Sequence, residues 1–264
     1  MVKKATRLDR ANKHLYCDLT VYFGTKHEKN RAVAPILGEL GIKCEVITID
    51  TDLFGTFSGE IERVGSVRET LRKKIEQVYI ANPDARLALA SEGSFGPHPF
   101  IGFIQSDHEA LLFVDRALGI EIYAEEISTE TNLSEIEFGP RDNLQGFLDQ
   151  VQFPSHAVIV KPMGSEKVVF KGLQNFHIVG QAIIDGFMAS PSAKVLLSTD
   201  MRACFNPSRM LVIEKAGKRL LEKLNSFCPS CRIPGFAISR GVPGLPCEGC
   251  GEPSSGFPNY SWGR

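Results

Sequence analysis

The sequence predicts an α/β protein in which a mostly parallel or mixed sheet is flanked by helices and followed by a C-terminal zinc ribbon. Two observations predict the sheet: short apolar segments of strand length alternate with longer segments whose apolar residues recur at helical spacing. A third predicts the ribbon, because four of the seven cysteines stand in a compact array near the C-terminus. The predicted organisation is a tail over 1–15, an α/β domain over 16–226 with a candidate joint between two halves near 152–157, and a zinc ribbon with its tail over 227–264.

Strands and helices alternate through the first half. Strands are predicted over 19–23, 44–49, 86–90 and 120–127, with a further candidate over 100–104. Three Ser/Thr-x-x-Glu capping boxes predict helix starts, at Thr25 with Glu28, Ser66 with Glu69, and Ser106 with Glu109. Pro35 predicts a kink in the first of these helices or a later start.

The second half continues the alternation. Strands are predicted over 157–162 and 194–198, and helices over 143–151 and 175–188. A long helix is expected from residue 207 onward, because Asn206 suits the N-cap and Pro207 suits the first helical position.

Composition limits the classes of protein. The formal net charge of -1 argues against a basic nucleic-acid surface over the whole chain, but it does not exclude a local basic patch. No apolar run approaches the ~20 residues that cross a bilayer, so no membrane partner is expected. The basic N-terminus lacks the apolar segment of a signal peptide. Cys17, Cys44 and Cys204 stand singly, which is not a disulfide framework, and a cytoplasmic location is expected.

The cysteine array has the spacing C-x2-C-x15-C-x2-C and consists of Cys228, Cys231, Cys247 and Cys250. Each C-x2-C pair can place two thiolates on one side of a turn, and two such turns complete a tetrahedral zinc site. Four protein ligands leave no position for a reactive water, so a structural zinc is expected. A redox dithiol or a disulfide pair is the alternative.

Three polar loops follow or interrupt the first-half strands, over 24–29, 51–63 and 91–99. Ligands of open α/β sheets bind beyond the carboxyl ends of strands. Backbone amides at a helix start favour phosphate, and Thr25, Lys26, His27 and Lys29 are the candidate phosphate ligands. A capped helix with solvated lysines is the alternative interpretation.

Carboxylates near a phosphate could hold Mg²⁺, which would orient an attacking water. The candidates are Glu92, Asp52 and Glu60. Glu92 is also the candidate catalytic residue, and His98 is a second candidate as a proton carrier. His98 stands between two prolines, however, where a rigid turn residue is equally expected.

Arg202 is a candidate for binding a phosphate or a carboxylate through its planar guanidinium. The alternative is an ion pair with Asp200 that braces the junction to the C-terminal part of the chain.

Nearly the whole chain resembles an uncharacterised bacterial family known as a domain of unknown function. The shared elements are TKHEK, TDLFGTFSGEIER, ASEGSFGPHP, STETN, TDMRACFNPSRM and the paired C-x2-C motifs. That resemblance implies no activity.

The first half also resembles inosine-triphosphatase-like pyrophosphatases. GTKHEK is similar to their strand-to-helix turn, with His27 in place of an asparagine. GSVRETLRKK and ALASEGSFG are similar to their later elements, with Glu92 at the metal-binding acid. The resemblance implies Mg²⁺-dependent nucleotide pyrophosphatase activity.

The sequence therefore predicts a metal-dependent hydrolase of a nucleotide or another phosphorylated small molecule, with a structural zinc. The alternative is a non-enzymatic binding module in which the polar loops and the zinc ribbon recognise a small ligand or a protein partner.

Overall fold

The first sheet of the computed structural model has five strands in the order β2-β1-β3-β4-β5. The structure describes residues 13–49, 65–165, 169–255 and 259–263. The strands are β1 (Thr20–Gly24), β2 (Lys43–Ile47), β3 (Leu87–Pro97), β4 (Gln105–Asp115) and β5 (Ile120–Ser128). The strand β1 runs parallel to β2 and β3, whereas β3, β4 and β5 pair in antiparallel fashion. The α/β class with a mixed sheet is thus confirmed.

Helices cover both faces of this sheet. The helices are α1 (Asn30–Gly38), α2 (Val67–Ala81) and α5 (Pro207–Leu224). One core contains apolar side chains of α1 and α5 together with Leu89, Leu111 and Phe113 from the sheet. A second core joins α2 to the alternate residues of β3 and β4, such as Ala88 and Leu112. Because successive strand residues point to opposite faces, both faces of β3 and β4 are buried.

A second sheet has four antiparallel strands in the order β6-β9-β7-β8. They are β6 (Glu135–Phe138), β7 (Val158–Pro162), β8 (Phe170–Leu173) and β9 (Val195–Thr199). With α3 (Leu144–Gln150) and α4 (Phe176–Ala189) they enclose a separate apolar core. Strand β6 precedes residues 152–157, the candidate joint between the two halves, whereas β7, β8 and β9 follow it.

The C-terminal segment contains an antiparallel pair, β10 (Ala237–Val242) with β11 (Asn259–Gly263). Within the described residues, no helix combines the length and the apolar character needed to cross a bilayer.

Several local predictions are confirmed. Ser66 and Glu69 form the reciprocal capping box at the start of α2. Asn206 caps α5 through the Arg209 amide, with Pro207 at the first position. Gly41, predicted to follow the first helix, has a left-handed φ of 73°, which a glycine adopts without steric cost.

The helix predicted from Ser106 is wrong, because this segment is strand β4. The Ser106–Glu109 spacing resembles a capping box, yet the segment pairs along its whole length with β3. Its apolar run is nearly continuous because both faces are buried, so it lacks the alternation typical of a strand with one exposed face. The candidate strand over 100–104 is the turn between β3 and β4, and Phe100 and Phe103 are each 88% exposed there.

The capping box predicted at Thr25 and Glu28 is also wrong. Helix α1 begins at Asn30, and its N-cap residue Lys29 makes no side-chain capping bond. Glu28 has a φ of 57° and pairs with Arg31 at 3.0 Å. The helix starts later than the Thr25 signal indicated, and Pro35 lies inside it.

Candidate functional site

A cavity lies where β1 ends beside the longer strand β3. Gly24, the last residue of β1, pairs with Ala90, but β3 continues to Pro97. The space next to Ser91–Gly93 is therefore open at the carboxyl end of two parallel strands. Its volume is about 30 Å³, which suits an ion or one small chemical group. It is lined by Gly24, Thr25, Lys26, His27, Lys29, Lys74, Ser91, Glu92 and Gly93.

The structure thus brings five of the predicted ligand-binding residues to one place: Thr25, Lys26, His27, Lys29 and Glu92. Thr25, Lys29 and Glu92 are buried, whereas Lys26 is exposed. Asp52 and Glu60, the other predicted Mg²⁺ ligands, lie outside the described residues.

Lys29 belongs to a buried ion cluster with Glu109 and Arg209, which the sequence did not predict. Its Nζ lies 3.2 Å from Oε2 of Glu109 on β4, and Nε of Arg209 on α5 lies 2.5 Å from Oε1 of the same carboxylate. The exposed fraction of all three side chains is 7% or less. Arg209 Nη1 also donates to the Met201 carbonyl. One buried carboxylate therefore holds two cations, one at the N-cap of α1 and one in α5.

A second buried pair lies on the opposite face of β3 and β4. Lys74 of α2 donates to the Glu92 carboxylate and, at 3.0 Å, to the Ser91 carbonyl. The side chains of Lys74 and Glu92 are 7% and 10% exposed. The sequence did contain a signal for Lys74, because it follows Leu71 by three residues and precedes Val78 by four, which places it on the buried stripe of α2.

Gly93 allows the ion cluster to approach the strand. It pairs with Glu109 across β3 and β4. A Cβ atom at position 93 would overlap both Arg209 Nη2 and the Glu109 carboxylate. A residue without a side chain is therefore required where the guanidinium lies against the strand.

Burial changes the protonation of this cluster. Burial lowers the pKa of Lys29 to about 8, against the raising effect of Glu109. Burial would raise the pKa of Glu109, but the charges of Arg209 and Lys29 outweigh it and hold the pKa below its usual value. Burial, reinforced by the Glu109 charge, raises the pKa of the neighbouring Asp107 to about 8.

Below its raised pKa of about 8, Asp107 is mostly protonated and neutral. Asp107 is 1% exposed, and its Oδ1 atom has no hydrogen-bond partner among the described residues.

The structure does not place the two remaining predicted residues at this cavity. His98 lies in the turn after β3, six residues beyond Glu92 and about 20 Å away along an extended strand. Its Nδ1 accepts hydrogen bonds from the amides of Phe100 and Ile101, as expected of a residue that stabilises a rigid turn. Arg202 pairs with Asp200 through two nitrogens, at 3.0 and 2.6 Å, which is the bracing alternative.

The two C-x2-C motifs fold into turns with matching hydrogen bonds. The amides of Cys228 and Cys247 donate to the carbonyls five residues on, Ile233 and Glu252. The carbonyls of both cysteines accept from the amides four residues on, and those residues, Arg232 and Gly251, have φ values of 58° and 75°.

The structure does not confirm that the four thiols form one metal centre. Among the residues that the structure describes, no group of three or more His, Cys, Asp or Glu side chains could hold one metal ion. Hydrogen bonds from the Gly249 and Cys250 amides and from the Cys250 side chain lower the pKa of the Cys247 thiol. The predicted zinc ribbon is therefore not confirmed, although each pair has a turn suited to two ligands.

The fold and the site define an α/β protein with buried cations at the carboxyl end of its parallel strands. The chain belongs to a family described as a domain of unknown function (DUF6671), whose model matches residues 74–261. The matched segment contains Lys74, Glu92, Glu109 and Arg209, whereas residues 25–29 precede it.

No curated protein matches the sequence. Among solved structures, the chain is similar to one titled "Crystal structure of protein VC0702 from Vibrio cholerae", with 6% identity and a TM-score of 0.37 over 77% of this chain and 93% of that one. A likeness at this level carries no argument about function.

Proposed function

We propose that the cavity at the end of β1 and β3 binds the phosphate group of a small molecule and that the protein hydrolyses this ligand. The observation that carries the proposal is the convergence of Thr25, Lys26 and Lys29 with the buried cation Lys74 around one cavity. Cations in a region of low dielectric attract an anion more strongly than the same cations in water would.

The size of the cavity indicates how a ligand would be held. A volume of about 30 Å³ accommodates one small charged group, so the remainder of the ligand would extend outward past Lys26. The Thr25 hydroxyl and the lysines would bind phosphate oxygens. A nucleotide fits the resemblance of the first half to inosine-triphosphatase-like pyrophosphatases.

Glu92 is the residue we assign to the chemistry. Mg²⁺ is commonly bound by one or two carboxylates together with waters and substrate phosphates, and Glu92 supplies one carboxylate at the cavity. Asp52 and Glu60 would complete the set. The bound ion would neutralise phosphate charge and orient water. Lys74, which pairs with Glu92, would fix the position of this carboxylate.

The binding experiment uses inorganic phosphate, pyrophosphate and a panel of nucleoside triphosphates, each with and without Mg²⁺. Calorimetry should detect binding, and Lys26→Ala should weaken it at least tenfold without unfolding the protein, because Lys26 is exposed. Lys194→Ala changes an exposed lysine that directly precedes β9; this variant is the matched control and should bind as the unchanged protein does. Absence of binding to every compound would refute the proposal.

Turnover separates the enzyme from the binding module. Release of phosphate or pyrophosphate should require Mg²⁺ and should disappear in Glu92→Gln, while the surface variant Glu121→Gln remains active. A thermal melt must show that Glu92→Gln is folded, since the change removes the partner of Lys74. Tight binding with no turnover of any compound would instead support the non-enzymatic binding module.

We also propose that the four cysteines bind one structural zinc ion. The matched hydrogen bonding of the two C-x2-C turns supports this, because equivalent turns can each present two thiolates. Metal analysis should find about one zinc per chain, and Cys228→Ser should lose it, whereas Cys44→Ser should keep it. Purified protein that binds no zinc under reducing conditions would refute this part.

A further inference from the structure

A second cavity, of about 260 Å³, lies beside the N-terminus of α5. Its polar wall includes Thr131, Asn132, Gln152 and Ser208, and its apolar wall is formed by Leu211 and Val212. This volume approaches the lower end of the range for small-molecule sites. None of the phosphate-site residues described above lines it.

Ser208 connects this cavity to a buried histidine. The His156 side chain belongs to a residue that is 3% exposed, and its Nε2 lies 2.9 Å from Ser208 Oγ. On the other side of the ring, Nδ1 lies 2.9 Å from Ser155 Oγ. Ser155 Oγ in turn donates to the Gln152 carbonyl at 2.7 Å.

The directions of these hydrogen bonds are fixed by one backbone amide. The Ser208 N–H lies 3.2 Å from His156 Nε2, and an amide N–H can only donate. Nε2 is therefore the unprotonated nitrogen, so the proton lies on Nδ1 and is donated to Ser155. Because Nε2 carries no proton, the Ser208 hydroxyl is the donor in the 2.9 Å contact, and it shares the Nε2 lone pair with the Ser208 amide. Burial also lowers the pKa of His156, which favours the same neutral ring.

We propose that Ser208 is a nucleophile and His156 its general base, in a second active site that hydrolyses a small ester. A serine hydroxyl that donates to a neutral imidazole, whose other nitrogen is held by a third group, is the arrangement that activates serine for acyl transfer. Ser208 is the second residue of an 18-residue helix. The positive end of the helix dipole therefore lies beside the Ser208 hydroxyl.

The reaction balances without a cofactor. Ser208 Oγ attacks the ester carbonyl carbon, while Nε2 takes the hydroxyl proton and passes it to the departing alkoxide. Water, deprotonated by Nε2, then attacks the acyl-serine and releases the carboxylic acid, which restores Ser208. The mixed walls of the cavity fit a short acyl group with a polar substituent.

Ser155 is a positioning residue, because its hydroxyl accepts the hydrogen bond from Nδ1–H and thereby keeps Nε2 unprotonated. Ser155→Ala should slow the reaction of Ser208, and Ser155→Thr, which retains a hydroxyl, should restore it. If Ser155 only stabilised the loop, the reaction rate would change together with the melting temperature. A rate restored by Ser155→Thr, at a melting temperature equal in all the variants, therefore indicates positioning of His156.

The test is covalent labelling with a fluorophosphonate, which forms an O–P bond on an activated serine and releases fluoride. Mass spectrometry should find one adduct, on Ser208, in the unchanged protein and in the control Ser192→Ala. Ser208→Ala should abolish the adduct and the hydrolysis of p-nitrophenyl acetate, and it should fold because it keeps the backbone amide.

His156→Gln distinguishes catalysis from helix capping, since glutamine can still accept the Ser208 amide but is not a base. Labelling should slow at least tenfold, within the usual contribution of a general base. Glu92→Gln should label normally, which separates this site from the phosphate site. No adduct on Ser208 in the unchanged protein, or an undiminished labelling rate in folded His156→Gln, would overturn the proposal.

Discussion

Replacing Glu109 by glutamine should destabilise the protein strongly, because it removes the only carboxylate that the described structure places against two buried cations. Glu109 accepts from Lys29 and Arg209, and the side chains of these partners are 7% and 0% exposed. The glutamine has nearly the same shape, so packing hardly changes. The perturbation is therefore electrostatic: two buried positive charges lose their counterion.

The magnitude follows from what each cation can do. Breaking a buried ion pair from one side typically costs about 3–5 kcal/mol. Lys29 can reduce the energy cost by losing its proton, since its pKa is already about 8. The Arg209 guanidinium cannot, because it stays charged. A loss of about 3–5 kcal/mol corresponds to a fall of roughly 10 °C in melting temperature for a protein near this size.

The loss should depend on pH with a definite sign. In the variant, the Lys29 pKa falls further below its unfolded value of about 10.4, so the folded state binds fewer protons than the unfolded state. Stability then rises with pH. The difference from the unchanged protein should therefore shrink as pH rises toward about 8, where Lys29 of the unchanged protein loses its proton, and stay constant above that pH.

Urea unfolding followed by circular dichroism measures the effect, with Glu121→Gln as the control. Glu121 pairs with Arg72 at 2.8 Å, but the two side chains are 41% and 53% exposed. Such a surface pair contributes about 1 kcal/mol or less. Equal losses in the two variants, or a loss below 1 kcal/mol in Glu109→Gln, would refute the reasoning from burial.

Three further predictions test the same structure. Gly93→Ala should lower the free energy of unfolding by about 1–3 kcal/mol, because a Cβ atom at position 93 overlaps the ion cluster. Gly102→Ala should be nearly neutral, because no atom lies within 4 Å of a Cβ at position 102. Equal urea midpoints for the two variants would contradict this prediction. Because the pKa of Asp107 is raised, the stability that Asp107 contributes falls as pH rises from about 4 to 8. Asp107→Asn should therefore make the urea midpoint depend less on pH over that window. An unchanged slope of midpoint against pH would contradict this prediction. Ser66→Ala should lose about 1 kcal/mol by removing the α2 capping box, and a chemical-denaturation curve identical to that of the unchanged protein would show that the cap is unimportant.

Part of the candidate site was predictable and part was not. Thr25, Lys29 and Glu92 were predicted because polar residues after apolar strands mark the carboxyl edge of a sheet. Lys74 and Arg209 lie on the buried stripes of α2 and α5, yet a single cation on such a stripe gives no indication of its partner. Glu109 was assigned to a helix, which hid its position opposite Gly93.

The sequence by itself determined the alternation of strands and helices from β1 to β3, the caps of α2 and α5, and the matched C-x2-C spacing. These features depend on residues within a few positions of one another, so the local chain carries the information. Only the tertiary structure decided that β4 is a strand and that Glu109 holds cations 80 and 100 residues away. Both outcomes arise from burial between distant segments: a strand covered on both faces loses its alternating pattern, and a buried carboxylate binds whichever cations the fold brings to it.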